Sequence, residues 1–171
     1  MDGRNRAARD LESPIAMGRT DAPKKILLVA CPGGHILQML ALKPAWEDLE
    51  TRWVTLEAAD TKYLLKPESR VFAHGPTARN IPNFFRNLRL AWKMVRGYRP
   101  DVILSTGAAL AVPFFLVGRV LGVRLVYVES FTRVERPALT GRLVYPLADA
   151  FFVQWPTSSH PRRAIYAGSV V

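Results

Sequence analysis

Three short stretches carry residue types able to do chemistry. Cys31-Pro32-Gly33-Gly34-His35, Ser105-Thr106-Gly107-Ala108-Ala109 and Glu129-Ser130 each follow directly on a short apolar run. In the first, paired glycines let backbone N–H groups come close to a ligand, and the helix start that follows favours anions such as phosphate. His35 stands at that helix start, where the positive end of the dipole disfavours the imidazolium. A neutral ring there accepts a proton, which makes His35 a candidate general base. The same residues also fit a plain tight turn with His35 as a cap. In the second stretch Ser105, Thr106 and Gly107 fit a cradle for a phosphate or sugar hydroxyl, or a cap whose hydroxyls bond the next turn. In the third, Glu129 and Ser130 leave a buried run, suited to bind sugar hydroxyls or to pair with a basic neighbour.

Other chemistries find less support. The dinucleotide pattern G-x-G-x-x-G is absent, and only Glu57, closing the second apolar run where a ribose-binding acid falls, keeps an NAD(P) or nucleotide reading open. His35, His74 and His160 lack ligand spacing and there is no Asp-x-Asp pair, so no metal site is expected. There is no G-x-S-x-G elbow. The single cysteine, Cys31, excludes an internal disulfide framework, suits a reducing compartment and reads as a small packed thiol.

The elements that must position these residues alternate. Apolar, branched runs at Ile26–Ala30, Trp53–Leu56, Arg70–Ala73, Val102–Leu104, Leu125–Val128 and Phe151–Val153 predict strands, and a last run ends at Val170-Val171. Between them, Ile36–Leu49 (with a kink or break at Pro44), Asp60–Leu65, Asn83–Tyr98, Val112–Leu121 and Leu139–Leu147 predict helices. Strand–helix alternation with short connections predicts an α/β fold with a doubly wound, mostly parallel sheet. In such sheets ligands bind at the carboxyl ends of the strands, where all three stretches fall. The chain has 171 residues, enough for one domain over 24–171, with 1–23 as a flexible polar leader. The apolar run Ala108–Val117 is shorter than the roughly 20 residues a bilayer needs and predicts a buried helix.

Charge points to an anionic partner. There are 24 Lys+Arg against 14 Asp+Glu, a formal net charge of +10, which alone fits nucleic acid, an acidic membrane or a phosphorylated substrate. Between Arg79 and Arg99 there are six basic residues and no acid. At about 100° per residue Phe84, Leu88, Ala91, Trp92, Val95 and Tyr98 share one face, opposite Arg86, Arg89, Lys93 and Arg96. That pattern fits a core helix with a solvated basic face. It also fits a membrane-docking helix in which Phe84, Phe85 and Trp92 enter lipid while Arg86, Arg89 and Lys93 meet headgroups. No nucleic-acid-binding motif accompanies the charge, so no nucleic-acid partner is expected.

Several motifs together resemble one glycosyltransferase family. They are Gly33-Gly34-His35, Leu104–Ala109, Val112-Pro113-Phe114, Tyr127–Val134, Thr140–Leu143 and Val153-Gln154-Trp155-Pro156. Over Lys24–Val171 the chain resembles the membrane-associated subunit of the two-subunit N-acetylglucosaminyltransferase that builds dolichol-linked chitobiose, and is closer to bacterial exopolysaccharide and capsule members. The resemblance implies a Rossmann-like, N-terminal half of a GT-B enzyme that binds the acceptor, while a separate subunit binds the nucleotide sugar. It implies metal-independent transfer from a UDP-sugar to a polyprenyl-diphosphate-linked glycan, at the cytoplasmic face of a bacterial inner membrane. His35 and Glu129 become catalytic candidates, and Gly33, Gly34, Ser105, Thr106, Gly107 and Ser130 acceptor-binding candidates. Eukaryotic members carry a membrane span at the N-terminus, whereas residues 1–23 are polar, so docking is expected to rest on the basic helix. A non-catalytic anchor that recruits its partner is the alternative.

Overall fold

The computed structural model describes residues 24–156 and 163–170. The expected leader, His160 and Val171 lie outside the described residues. Strands β1 (Lys25–Val29), β2 (Glu50–Thr55), β3 (Arg70–Phe72), β4 (Val102–Ser105), β5 (Arg124–Val128), β6 (Ala150–Val153) and β7 (Ala164–Tyr166) form one sheet of order β3-β2-β1-β4-β5-β6-β7. Every neighbouring pair is parallel. Helices α1 (Gly34–Ala41), α2 (Ala59–Leu64), α3 (Ile81–Tyr98), α4 (Ala111–Val120) and α5 (Leu139–Val144) connect them. The fold is thus Rossmann-like and doubly wound, as the alternation predicts.

The topology locates the crevice. From β1 the chain builds outward to β2 and β3, then crosses to β4 on the other side of β1. The carboxyl ends of β1 and β4 therefore flank the switch point, the place where open α/β sheets bind ligands. Val29 lies beside Ser105, and Ser105 beside Tyr127, so the three candidate turns start level with one another.

Burial on both faces explains the unbroken apolar strands. Leu27, Val29, Ile103 and Leu125 pack under Ala91 and Val95 of α3 and Phe114 and Phe115 of α4. Ile26, Leu28 and Leu104 face Ile36 and Met39 of α1, closed by Trp46 and Trp53, whose rings meet edge to face at 5.5 Å.

Three expectations change. The helix expected over 36–49 ends at Ala41, and Pro44 sits in a separate 3-10 turn, Lys43–Ala45, so the proline breaks the helix rather than bending it. The last strand is Ala164–Tyr166 rather than a run to Val170, because Gly168 at φ +100° turns the chain away. Finally, α3 buries Asn83, Asn87, Ala91, Met94, Val95 and Tyr98, while Trp92 is 43% exposed. The asparagines take the inner places because their side chains serve the loop before the helix. Asn87 accepts from His74 N–H (2.8 Å) and donates to its carbonyl (2.9 Å), and Asn83 donates to Pro76 O (3.1 Å). Asn80 caps the helix by accepting from Asn83 N–H at 2.9 Å.

Candidate functional site

The centre of the crevice is a reciprocal latch between the first and second stretches. His35 Nδ1 lies 2.9 Å from Thr106 O, and Thr106 Oγ1 donates to His35 O at 2.7 Å. A carbonyl only accepts, so Nδ1 carries the hydrogen, and Nε2 is the acceptor whenever the ring is neutral. The residues involved are 71 positions apart; the parallel pairing of β1 with β4 brings them together.

Gly107 seats the ring. Its φ is +121°, and a Cβ there would stand 2.8 Å from His35 Cε1 and 3.1 Å from Nδ1. The imidazole occupies the room a side chain would take. At Gly33 (φ +79°) and Gly34, just before the histidine in the chain, nothing lies within 4 Å of a Cβ position. The Gly33 carbonyl accepts from Ile36 N–H (3.1 Å) and Leu37 N–H (3.2 Å), and Gly33 N–H donates to Asp60 Oδ2 at 2.6 Å. Asp60, at the first turn of α2, also accepts from Thr61 N–H at 2.8 Å. A carboxylate thus already fills part of the anion slot expected at the glycine pair. Glu57, the acid that kept a nucleotide reading open, is exposed and bound to Lys62 at 2.6 Å. Asp60 carried only the ordinary signal of an acid in a helix's first turn.

Ser105 and Thr106 differ from expectation. Both are fully buried, and neither hydroxyl faces the crevice. Ser105 Oγ accepts from Gly107 N–H at 3.2 Å, and Thr106 Oγ1 is spent on His35. They shape the turn and hold the histidine, which are the capping roles their residue types equally allowed.

Glu129, expected as a catalytic candidate, is buried at 1% exposure. Its Oε1 accepts from Ser130 N–H at 3.0 Å and its Oε2 from Ala138 N–H at 3.1 Å, so one carboxyl ties both ends of the loop over 130–138. Burial pushes its pKa up, opposed by those two N–H groups and more distantly by Arg133 and His35. A Cβ at Gly141 would run into Glu129 Oε2. Around its backbone, Gln38 Nε2 donates to Glu129 O at 2.9 Å and Gln154 Nε2 to the same oxygen at 3.4 Å. Trp155 Nε1 donates to Phe131 O at 2.7 Å. The Gln154-Trp155 pair thus secures the Glu129 loop. Ser130 is half-buried, its Oγ 3.0 Å from Thr132 Oγ1.

Cys31 is buried in the core and burial pushes its thiol up, the behaviour of a packed thiol. Among the described residues no three His, Cys, Asp or Glu side chains are grouped so as to hold a metal ion.

Away from the crevice, α3 and α4 share an apolar groove lined by Phe85, Leu88, Trp92, Leu116, Val117 and Val120, with Arg89 at its rim. Phe85 is 61% and Val120 73% exposed. Arg86, Lys93 and Arg96 are exposed beside it. Phe84 is only half-exposed and supports Phe85 edge to face at 5.5 Å. Among the described residues no helix is long and apolar enough to cross a membrane.

Comparison with known proteins agrees with this architecture. Acinetobacter baumannii MurG superposes with a TM-score of 0.67 at 16% identity, over 84% of this chain and 45% of that one. A Methanocaldococcus jannaschii UDP-GlcNAc 2-epimerase, solved with UDP-GlcNAc and UDP, gives 0.65 at 14% identity, over 85% and 46%. At such identities the likeness is one of fold. In sequence, the mouse UDP-N-acetylglucosamine transferase subunit ALG14 is 34% identical over 86% of this chain and 83% of its own length. The rat subunit is 33% identical over 53% of this chain and 47% of its own length, and the Schizosaccharomyces pombe subunit 44% identical over 42% and 37%. The chain therefore matches about half or less of the length of the latter two. A family model described as "Oligosaccharide biosynthesis protein Alg14 like" matches residues 57–170. That match covers more than half of the chain, from β3 to β7, and the chain belongs to the Alg14-like family of oligosaccharide biosynthesis proteins.

Proposed function

We propose that this chain is the acceptor-binding and membrane-docking subunit of a bipartite GT-B glycosyltransferase. A separate subunit binds a UDP-sugar, and the sugar passes to a polyprenyl-diphosphate-linked saccharide at the cytoplasmic face of a bacterial inner membrane. The observation that carries the reading is the His35 latch at the switch point. With Nδ1–H committed to Thr106 O, Nε2 is the free base at the mouth of the crevice. The name carried by the mouse relative supports a UDP-N-acetylglucosamine donor.

In this reaction the acceptor hydroxyl oxygen bonds to the anomeric carbon as that carbon's bond to the UDP oxygen breaks. UDP leaves with the bonding pair, and the hydroxyl proton passes to His35 Nε2. The Gly33-Gly34 backbone orients the acceptor, and Glu129 acts as a positioning residue through the loop over 130–138 and Ser130. No metal ion held by this chain and no nucleic acid takes part. Domain 24–171 is the acceptor half.

The α3–α4 groove is the docking face, with Phe85 and Trp92 entering lipid and Arg86, Arg89 and Lys93 on headgroups. Each cation near anionic lipid is worth about 1 kcal/mol. The triple change Arg86→Glu, Arg89→Glu, Lys93→Glu is therefore expected to weaken binding to phosphatidylglycerol vesicles about 100-fold or more in a sedimentation assay. Unchanged binding refutes this docking face. The function itself is tested by co-expressing the chain with its candidate donor subunit and supplying UDP-sugars and lipid-linked acceptor. Transfer is expected from the pair and from neither subunit alone. Transfer by this chain alone contradicts a bipartite enzyme.

A further inference from the structure

Tyr127 carries an unexplained hydroxyl. The residue is fully buried, stacked on Phe151 at 5.0 Å and edge to face with Phe115 at 6.0 Å. Those contacts need only a phenyl ring. Its Oη meets no acceptor at good hydrogen-bond geometry among the described residues, and the polar group it interacts with is the Glu129 carboxyl. A buried hydroxyl is costly unless it serves such a neighbour, since phenylalanine would pack here at less expense.

Its surroundings suggest what the hydroxyl is for. It lies 3.4 Å from the place a Gly107 Cβ would take, and the His35 ring edge (Cε1) lies 2.8 Å from that same place. The Glu129 carboxyl, two residues along the same strand end, is close enough to push the phenol pKa up further than burial alone does. Both Glu129 oxygens already accept one N–H each, from Ser130 and Ala138, and a carboxylate oxygen has room for another donor. One hydroxyl thus lies between the turn that seats His35 and the carboxyl that ties the loop over 130–138.

We propose that Tyr127 is a positioning residue of the transfer site, whose hydroxyl braces the Glu129 carboxyl and the Gly107 turn and through them holds His35 in register with the acceptor. This rests on the reading of His35 as the base. It adds a link between the two halves of the crevice: the β4 turn and the β5 loop are set against each other by one phenol. The ring fixes the strand end in the core, and the hydroxyl sets the orientation of what lies above it.

Tyr127→Phe tests this, since it keeps the stacking and removes one oxygen. A packing role alone predicts unchanged turnover and an equal or higher melting temperature. A positioning role predicts a melting temperature that is equal or higher together with a kcat of the reconstituted pair lowered about tenfold, the value of one ordinary hydrogen bond. In Tyr127→Phe combined with Glu129→Gln the loss should not exceed that of the worse single variant. The imidazole nitrogen signals of His35, read by NMR on the labelled chain alone, should move from a single Nδ1–H tautomer to a mixture. Wild-type turnover with unchanged His35 signals overturns the proposal. If the wild-type pair transfers no sugar, the functional reading fails, and the NMR comparison still decides whether Tyr127 positions His35.

Discussion

Replacing His35 by alanine is expected to lower kcat of the reconstituted transferase by about 10²–10⁴-fold, the usual range for removing a positioned general base. Assembly with the donor subunit and binding to anionic vesicles should be unchanged. The expectation follows from how little else depends on the ring. His35 is only half-buried, outside both core clusters, and its side chain makes one hydrogen bond, to Thr106 O. Its backbone carbonyl, which accepts from Thr106 Oγ1, survives in the variant. A loss of turnover therefore reports chemistry rather than unfolding. Full turnover in the variant would leave the chain as an anchor that only recruits its partner.

A glycine-to-alanine change at Gly107 should be nearly as damaging, by a different route. At φ +121° the new residue is strained by about 1–3 kcal/mol. Its methyl would fall 2.8 Å from His35 Cε1 and 3.1 Å from Nδ1, so the ring must shift, which disturbs the bond from Nδ1–H to Thr106 O. A displacement on the order of 1 Å costs about 10²-fold in rate. Gly122→Ala separates strain from displacement. That residue also has positive φ, +70°, but nothing stands within 4 Å of its Cβ position. Chemical denaturation should show a loss of stability in both variants, and steady-state assays a loss of turnover only for Gly107→Ala. Equal turnover in the two would remove Gly107 from the site.

What the sequence discloses follows from how local each signal is. The central strands are legible because β1, β4 and β5 are covered on both faces and so spell unbroken apolar runs. The place of His35 is legible too, since a strand, a glycine pair and a helix start follow one another in the chain. Its latch is not, because Thr106 lies 71 residues away and only the crossover brings it near. For the same reason Ser105 and Thr106 fit a ligand cradle or a cap equally well in sequence, while in the fold one hydroxyl bonds the turn and the other the His35 carbonyl. Tyr127 is hidden inside an apolar strand, and its hydroxyl stands out only when every partner is accounted for. The face of α3 misleads through polarity: Asn83 and Asn87 are buried by bonds to the 74–76 loop, which displaces Trp92 outward to join Phe85, Leu116 and Val120.

The central claim is that the crevice at the ends of β1 and β4 takes the lipid-linked acceptor and not the nucleotide sugar. It is tested most directly by titrating the isolated chain, with labelled backbone amides, with a short-chain polyprenyl-diphosphate saccharide and separately with UDP-N-acetylglucosamine. The acceptor analogue is expected to shift the amides of Gly33, Gly34, His35 and Gly107 in a saturable manner while the nucleotide sugar leaves them in place. Saturable shifts of those amides by UDP-N-acetylglucosamine, with none from the acceptor, would contradict the account.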